Sequence, residues 1–234
     1  MRPIELDPRV QAGVFERLKR STGILLQAMN GFRELFGEDA ISRAPAHLRL
    51  DVRHAEFIIE MAARNINSMP TSSAGRLFDE TACLLGLGRK VSYEAQAAIA
   101  LESLALEAGQ GEKRYSFGYG ENHPMEIDAA PVIGGLLEDI GSGIEPAAIA
   151  AAFHESVAAM IVDTAARLAG LNGCAVAVMS GGVFQNRLLC ERVIDLSSGT
   201  GIDFLMHRTV PPNDGGISLG QVQIAAAMIE RGAL

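Results

Sequence analysis

The chain of 234 residues is 48% hydrophobic and 21% charged, and its net charge at neutral pH is -8. This composition is typical of a globular protein with a substantial core. The acidic balance argues against a dedicated nucleic-acid binder, which needs a basic face, and no run approaches the roughly 20 apolar residues that span a membrane. Charged residues also fall where the apolar part of a secretion signal would begin. We therefore expect a cytoplasmic protein with no membrane or nucleic-acid partner.

The first 55 residues are the least readable part of the chain and only suggest amphipathic helix, whereas helical periodicity is clearer after them. The loop that ends at residues 71–73 supplies serine and threonine as N-cap candidates for a helix, which glycine should end at position 86 or 88. An Ala-rich helical stretch follows a little further on. The helices predicted in this part are 52–66, 74–85 and 94–108.

The middle of the chain mixes strand and helix signals. Aromatic residues alternate from Tyr115 to Tyr119 and are followed by a Gly-Glu-Asn-His-Pro turn, which predicts a hairpin or an irregular edge within residues 111–128. Two helices are predicted after it, at 132–140 and 146–171. The second of these keeps its apolar residues at helical spacing throughout.

The last sixty residues alternate strand and helix. Residues 175–179 are a continuous apolar run, which is typical of a strand buried on both faces. Tight glycine-rich turns separate the elements, so this end of the chain is predicted to be α/β. The elements predicted after the first strand are a helix at 186–196, a strand at 202–206, a loop at 211–216 and a helix at 217–231.

The cysteine and histidine patterns do not predict a metal site. Cys83, Cys174 and Cys190 lie in apolar stretches without CxxC spacing, so we predict three buried thiols in a reducing compartment. The five histidines show no ligand spacing, which argues against a closed protein metal site. One of them, His154, follows Phe153 on the long predicted helix, and we interpret it as a structural residue.

Two glycine-containing loops are candidates for ligand binding. Ser180–Gly182 follows a strand and precedes a helix, so its backbone could approach a ligand and the helix N-terminus could bind an anion; a plain strand-to-helix turn is the alternative. If the two strands are parallel neighbours, Asn213–Gly216 lies at the same carboxyl edge of the sheet. Asp214 would then be a carboxylate beside the first turn, or alternatively the N-cap of the last helix.

A third candidate is Asp79, a carboxylate in an otherwise apolar predicted helix. It could accept a hydrogen bond from a ribose hydroxyl, or it could occupy an exposed position on the helix surface. Helical periodicity does not decide between these alternatives.

Four segments resemble motifs of the HypF-type hydrogenase maturation proteins, in the order and spacing of that family. They are residues 66–79 (INS…TSSxGRLFD in the family), 91–98 (VSYEGQAA), 179–189 (LSGGVFQNRLL) and 207–220 (HRxVPPNDGGIALG). Residues 56–234 therefore resemble the C-terminal lobe of the family's carbamoyl-transferring domain. This resemblance implies an α/β nucleotide-binding lobe of the actin/Hsp70-like (ribonuclease H-like) fold, with residues 1–55 set apart as additional N-terminal helices.

The same resemblance implies carbamoyl transfer. Proteins of this family make carbamoyl-adenylate from carbamoyl phosphate and ATP, and they pass the carbamoyl group to the C-terminal cysteine of a HypE-type acceptor in [NiFe]-hydrogenase maturation. The cofactors implied are ATP or carbamoyl-adenylate and a divalent metal (iron, zinc or magnesium). No catalytic residue is implied. The positions carried over are Gly75, Asp79, Gly181, Gly182 and Asn186 for the nucleotide and Asp214 for the metal.

The chain departs from the family pattern in two respects. The HHAH-type histidine motif of the first lobe is absent from the sequence, and the glycine of VSYEGQAA is replaced by Ala95, which restricts close backbone approach. We therefore expect that carbamoyl transfer needs a separate first lobe, with homodimer formation as another way to cover an exposed apolar face. A non-catalytic nucleotide-binding or docking module, or a degenerate remnant, are the alternatives.

Overall fold

A computed structural model describes residues 73–87, 91–109, 111, 115–120 and 125–232, together with Glu60 and Arg64. The boundary predicted at residues 55 and 56, and the helix predicted at 52–66 apart from these two residues, lie outside this part of the chain. The chain forms two compact units, which divide between Phe153 and His154.

The first unit consists of helices and one small hairpin. The N-cap of the first helix is Ser73, and its last residues are followed by Gly86 in a left-handed conformation, as the sequence predicts. The hairpin strands pair antiparallel, with Gly118 opposite Asp128, which confirms the predicted hairpin. The elements are α1 Ala74–Leu84, α2 Gln96–Ala108, β1 Gly118–Tyr119, β2 Ile127–Asp128, α3 Ala130–Gly141 and the beginning of α4 Pro146–Asn172.

Apolar side chains from all four helices form the core of the first unit. Helix α1 packs against α2 and α3. Its Phe78 meets Phe153 of α4 edge to face, with ring centroids 5.0 Å apart, and both side chains are fully buried. Burial of each such side chain contributes about 1.5–3 kcal/mol. The other large, fully buried side chains of this unit are Leu84, Leu101, Val132, Leu136 and Ile149.

One buried polar pair joins the hairpin arm to α3. The Tyr115 hydroxyl donates a hydrogen bond of 2.7 Å to Oδ2 of Asp139, and both residues are buried. Burial, and then the neighbouring Asp139 carboxylate, raise the pKa of Tyr115. The Tyr115 ring lies so close to Gly135 that a Cβ at that position would come within 2.7 Å of the ring.

The second unit has the strand and helix order that the sequence predicts. Strands β3 and β4 pair in parallel, with Val176 opposite Asp203 and Met179 opposite Met206. The mixed α/β class is therefore confirmed. The elements after α4 are β3 Val176–Met179, a 3-10 turn Gly182–Gln185, α5 Arg187–Ser197, β4 Asp203–Met206, a 3-10 turn Asp214–Gly216 and α6 Ile217–Glu230.

Two burial predictions for this unit, those for strand β3 and for Cys174, are wrong. Strand β3 is not buried on both faces: Val176 and Val178 are 49% and 68% exposed, and only Met179 is buried. Helix α6 has no buried residue. The reason is that parallel strands need cover on both faces, and no layer of the described part of the chain covers this face of β3. Cys174 is also exposed, whereas Cys83 and Cys190 are buried thiols as predicted.

Among the described helices, α4 alone is long and apolar enough to cross a membrane by length and composition. However, 61% of its most apolar window is buried inside the protein. The central helix of a globular domain passes the same test.

Candidate functional site

Two loops meet at the carboxyl end of the β3–β4 pair. The Gly181 amide donates a hydrogen bond of 2.8 Å to the Pro212 carbonyl, which joins the turn after β3 to the loop after β4. A second link connects Ser180 Oγ and His207 Nε2, which are 3.1 Å apart. The parallel pairing and these two contacts confirm that both glycine-containing loops lie at one edge of the sheet. This is the edge at which open α/β sheets bind ligands.

Gly181 gives the first loop its shape. Its φ of 103° and ψ of 163° lie in a region that is essentially restricted to glycine. A Cβ added at Gly181 or at Gly182 would meet no atom within 4 Å, so the space beside the turn is open. Glycine at position 181 is therefore required by the backbone conformation, and the turn leaves room for a ligand to approach its backbone.

Asn186 joins the turn to helix α5. It is the N-cap of α5, and its Oδ1 accepts a hydrogen bond of 2.8 Å from the Leu189 amide. Its Nδ2 lies 3.0 Å from Nε2 of His154 on α4. The side chain thus holds the start of α5 in place. The sequence singled out His154 as structural, and its side chain is 1% exposed.

The second loop presents Asp214 to solvent. Asn213 is the N-cap of the 3-10 turn, since its Oδ1 accepts from the Gly215 amide at 3.0 Å. The alternative of Asp214 as an N-cap is therefore wrong, and its carboxylate is exposed in the first turn. Gly216 has no room for a side chain, because a Cβ there would lie 2.9 Å from Cγ1 of Val210.

The residues around this loop fit one kind of metal site. Within the described ranges, no group of three or more His, Cys, Asp or Glu side chains could hold a metal ion. A closed zinc or iron site made by these residues alone does not fit. A magnesium ion is commonly held by one or two carboxylates together with substrate phosphates and water, and the exposed carboxylate of Asp214 fits that arrangement.

Gly75 and Asp79 lie on α1, in the first unit, whereas the other four residues carried over from the resemblance lie in the second. The Asp79 carboxylate is 16% exposed and 3.7 Å from the Arg76 guanidinium. Burial raises its pKa, while Arg76 lowers it and Glu94 raises it further. The alternative of an exposed helix position is therefore wrong for Asp79. Gly75 is partly buried in the first turn of α1.

Ala95 has a strained backbone at the N-cap of α2. Its φ of 60° and ψ of 9° are left-handed, and it is the one non-glycine residue with positive φ in the described part of the chain. The motif glycine that Ala95 replaces thus stands at a position where the backbone itself favours glycine. Replacing glycine by alanine at this position therefore strains the backbone at the start of α2.

Sequence reasoning missed the Ser180–His207 contact and the carbonyl of Pro212. The positions gave a signal that could have found the first contact. Ser180 directly follows β3 and His207 directly follows β4. The residues that follow two paired parallel strands are neighbours in space.

Comparison with known proteins identifies relatives that match most of the chain. A family model described as carbamoyltransferase, Kae1-like domain, second subdomain, matches residues 12–221. The chain is 37% identical over 172 residues to carbamoyltransferase HypF of Rhodobacter capsulatus, which covers 73% of this chain and 22% of that protein. It is 34% identical over 179 residues to a carbamoyltransferase HypF homolog of Cupriavidus necator, which covers 74% of this chain and 45% of that protein.

The fold has a solved counterpart. A crystal structure of full-length HypF in the phosphate- and nucleotide-bound form superposes with a TM-score of 0.74 at 32% sequence identity. The superposition covers 92% of this chain and 27% of the other. The chain thus spans about a quarter of that protein, and less than half of the two relatives above.

Proposed function

The chain belongs to the HypF-type carbamoyltransferases, as the second subdomain of their Kae1-like domain, and we propose that it holds an adenine nucleotide during carbamoyl transfer in hydrogenase maturation. The observation that carries this proposal is the junction of the two loops. A glycine turn with open space beside it is hydrogen-bonded to a loop that exposes the carboxylate of Asp214.

The turn has the chemistry of a phosphate site. Gly182 opens a 3-10 turn, and the first N–H groups of a helical turn have no partner within it. Helix α5 follows directly and directs the positive end of its dipole toward the same place. In this proposal Gly181 and Gly182 let the backbone approach the phosphates, and Asn186 fixes the helix that supports them.

In this proposal the carboxylate of Asp214 binds the divalent cation that accompanies the nucleotide. A divalent cation would offset the charge of the phosphates. Magnesium fits one exposed carboxylate, such as that of Asp214, better than zinc or iron does. Gly75 and Asp79 remain proposed contacts to the ribose, and the raised pKa of Asp79 is in keeping with a carboxylate kept partly dry.

The proposed acceptor is the C-terminal cysteine of a HypE-type protein, and the donor is carbamoyl-adenylate. Carbamoyl transfer would then require a first lobe, encoded separately or in a longer chain, because this chain spans about a quarter of the full-length HypF structure. A cytoplasmic location, without membrane or nucleic-acid partners, belongs to the same proposal. We assign no residue of this chain to the chemical step.

A non-catalytic docking module is the second candidate. The observation that favours it is the apolar surface of the second unit, where Val178, Val222, Ile224 and Ile229 are each more than 60% exposed. Exposed apolar surface of this kind marks interaction sites in soluble proteins. A first lobe or a second copy of the chain are the proposed occupants.

Calorimetric titration of the chain with ATP and magnesium separates the two candidates. Asp214→Asn removes the proposed metal ligand, and Asp163→Asn removes the same charge from an exposed position on α4. We expect binding that depends on magnesium, is lost in Asp214→Asn and persists in Asp163→Asn. Absence of binding by a chain that is folded by circular dichroism would exclude the nucleotide site in this chain and favour the docking module.

A further inference from the structure

We propose that His154 is a positioning residue that fixes the glycine turn through Asn186. This inference rests on the proposed function for its consequence, which is nucleotide affinity, but not for its geometry. The two side chains are separated by 32 positions in sequence, and their nitrogen atoms are 3.0 Å apart. In this proposal His154 acts on the turn through Asn186.

His154 begins a buried polar segment in a helix that is otherwise apolar on its buried side. His154, Glu155 and Ser156 are 1%, 3% and 1% exposed. Burying polar groups is costly unless they form hydrogen bonds. Three consecutive buried polar residues in a core helix therefore indicate specific hydrogen-bond partners.

The hydrogen bonds of Asn186 set the role of each nitrogen. Oδ1 of Asn186 faces the Leu189 amide, which can only donate, so Nδ2 is the atom that faces His154. An amide nitrogen donates, and Nε2 of His154 must therefore accept. This requires the neutral imidazole with its proton on Nδ1.

The next residue of α4 holds the same helix further along. The Arg192 guanidinium donates to both oxygens of Glu155, from Nε at 2.6 Å and from Nη2 at 3.1 Å. That hydrogen bond raises the pKa of Arg192. Two consecutive residues of α4 thus fix α5, His154 at its N-cap and Glu155 in its second turn.

Because separate residues hold the two parts of α5, the effect of His154 is local to the start of the helix. With the Glu155–Arg192 pair intact, loss of the His154 acceptor leaves α5 packed but frees the Asn186 side chain. The start of α5 and the 3-10 turn Gly182–Gln185 then lose a fixed orientation. Backbone N–H groups that are placed in advance bind a phosphate better than groups that must be ordered on binding.

The test compares two replacements of similar size. His154→Gln keeps an acceptor, since the Gln carbonyl oxygen can take the place of Nε2, whereas His154→Leu removes it. Loss of a buried hydrogen bond corresponds to a factor of about ten. We expect His154→Leu to increase hydrogen exchange of the Leu189 amide about tenfold and to weaken ATP affinity with magnesium about tenfold, and we expect His154→Gln to restore most of both.

Two further variants keep the test decisive. Asn186→Ser retains an N-cap oxygen but cannot reach His154, so it should reproduce the effects of His154→Leu even if that variant folds poorly. Tyr115→Phe removes a different buried hydrogen bond, to Asp139, and is the control for general loss of stability. It should leave exchange at Leu189 and ATP affinity unchanged.

Each outcome decides one question. Equal hydrogen exchange of the Leu189 amide in His154→Leu and the wild type would overturn the proposal. The proposal would also fail if His154→Gln exchanged this amide as fast as His154→Leu does. If the wild-type chain binds no ATP, the proposed nucleotide function fails, while the exchange measurements still decide whether His154 positions the turn.

Discussion

Replacing Ala95 by glycine should stabilise the protein, because the backbone at this position is left-handed. An L-residue with a side chain pays about 1–2 kcal/mol for that conformation. Glycine avoids this cost, but it makes the unfolded chain more flexible, which reduces the gain in stability by about 0.4–1 kcal/mol. The Ala95 side chain is exposed, so its removal loses little packing. The net gain should be about 0.5–1 kcal/mol, and glycine is also the better N-cap.

The assay is chemical unfolding followed by circular dichroism, with thermal unfolding as a second measure. For a chain of this length, a gain of 1 kcal/mol raises Tm by about 2–4 °C. The matched control is Ala166→Gly, at an exposed position inside α4, which should lower the free energy of unfolding by about 0.5–1 kcal/mol. A loss of stability in Ala95→Gly, of the same sign as in the control, would refute the assignment of backbone strain to Ala95.

Four other variants test separate parts of the structure. Burial raises the pKa of Asp79, so wild-type stability should fall as the pH rises from the ordinary aspartate pKa through the raised one; Asp79→Asn should remove this decline, giving a gain at pH 7 but not at pH 4 in urea unfolding. Gly216→Ala should lower the free energy of unfolding by about 1–3 kcal/mol, because its Cβ collides with neighbouring atoms. Gly182→Ala should leave the free energy of unfolding unchanged but weaken ATP binding in calorimetric titration. A Gly182→Ala variant that is less stable but binds ATP normally would contradict the site. Arg192→Met should lower the free energy of unfolding by about 3–5 kcal/mol, since it leaves the buried carboxylate of Glu155 without its guanidinium; an effect below 1 kcal/mol in the same unfolding assay would contradict that view of the pair.

Sequence reasoning works well where the signal is local. The helix over Ala74–Leu84 ends before Gly86, the helix over Pro146–Asn172 begins at its proline, and the two strands of the second unit lie within a residue or so of their predicted bounds. Each of these features depends on residues within one or two turns of the chain. Capping residues, glycine and proline act at that range, so they can be read without knowledge of the fold.

Burial and pairing depend on the tertiary structure and were harder to predict. An apolar run such as Val176–Met179 predicts a strand, but the layer that covers it is decided elsewhere, and two of its valines are exposed here. The side chain of Asp79 is only 16% exposed for the same kind of reason, which periodicity alone could not reveal. The contact of His154 with Asn186 joins positions 32 residues apart, and no local sequence pattern predicts it.

The central claim is that the two linked loops of the second unit bind the phosphates of a nucleotide. The most direct test is an NMR titration of the 15N-labelled chain with ATP and magnesium, following the backbone amides of Gly181, Gly182 and Gly215. These amides should shift progressively and saturate in the wild type, and the shifts should be absent in Asp214→Asn. Saturable shifts located elsewhere, with these three amides unmoved, would contradict the account.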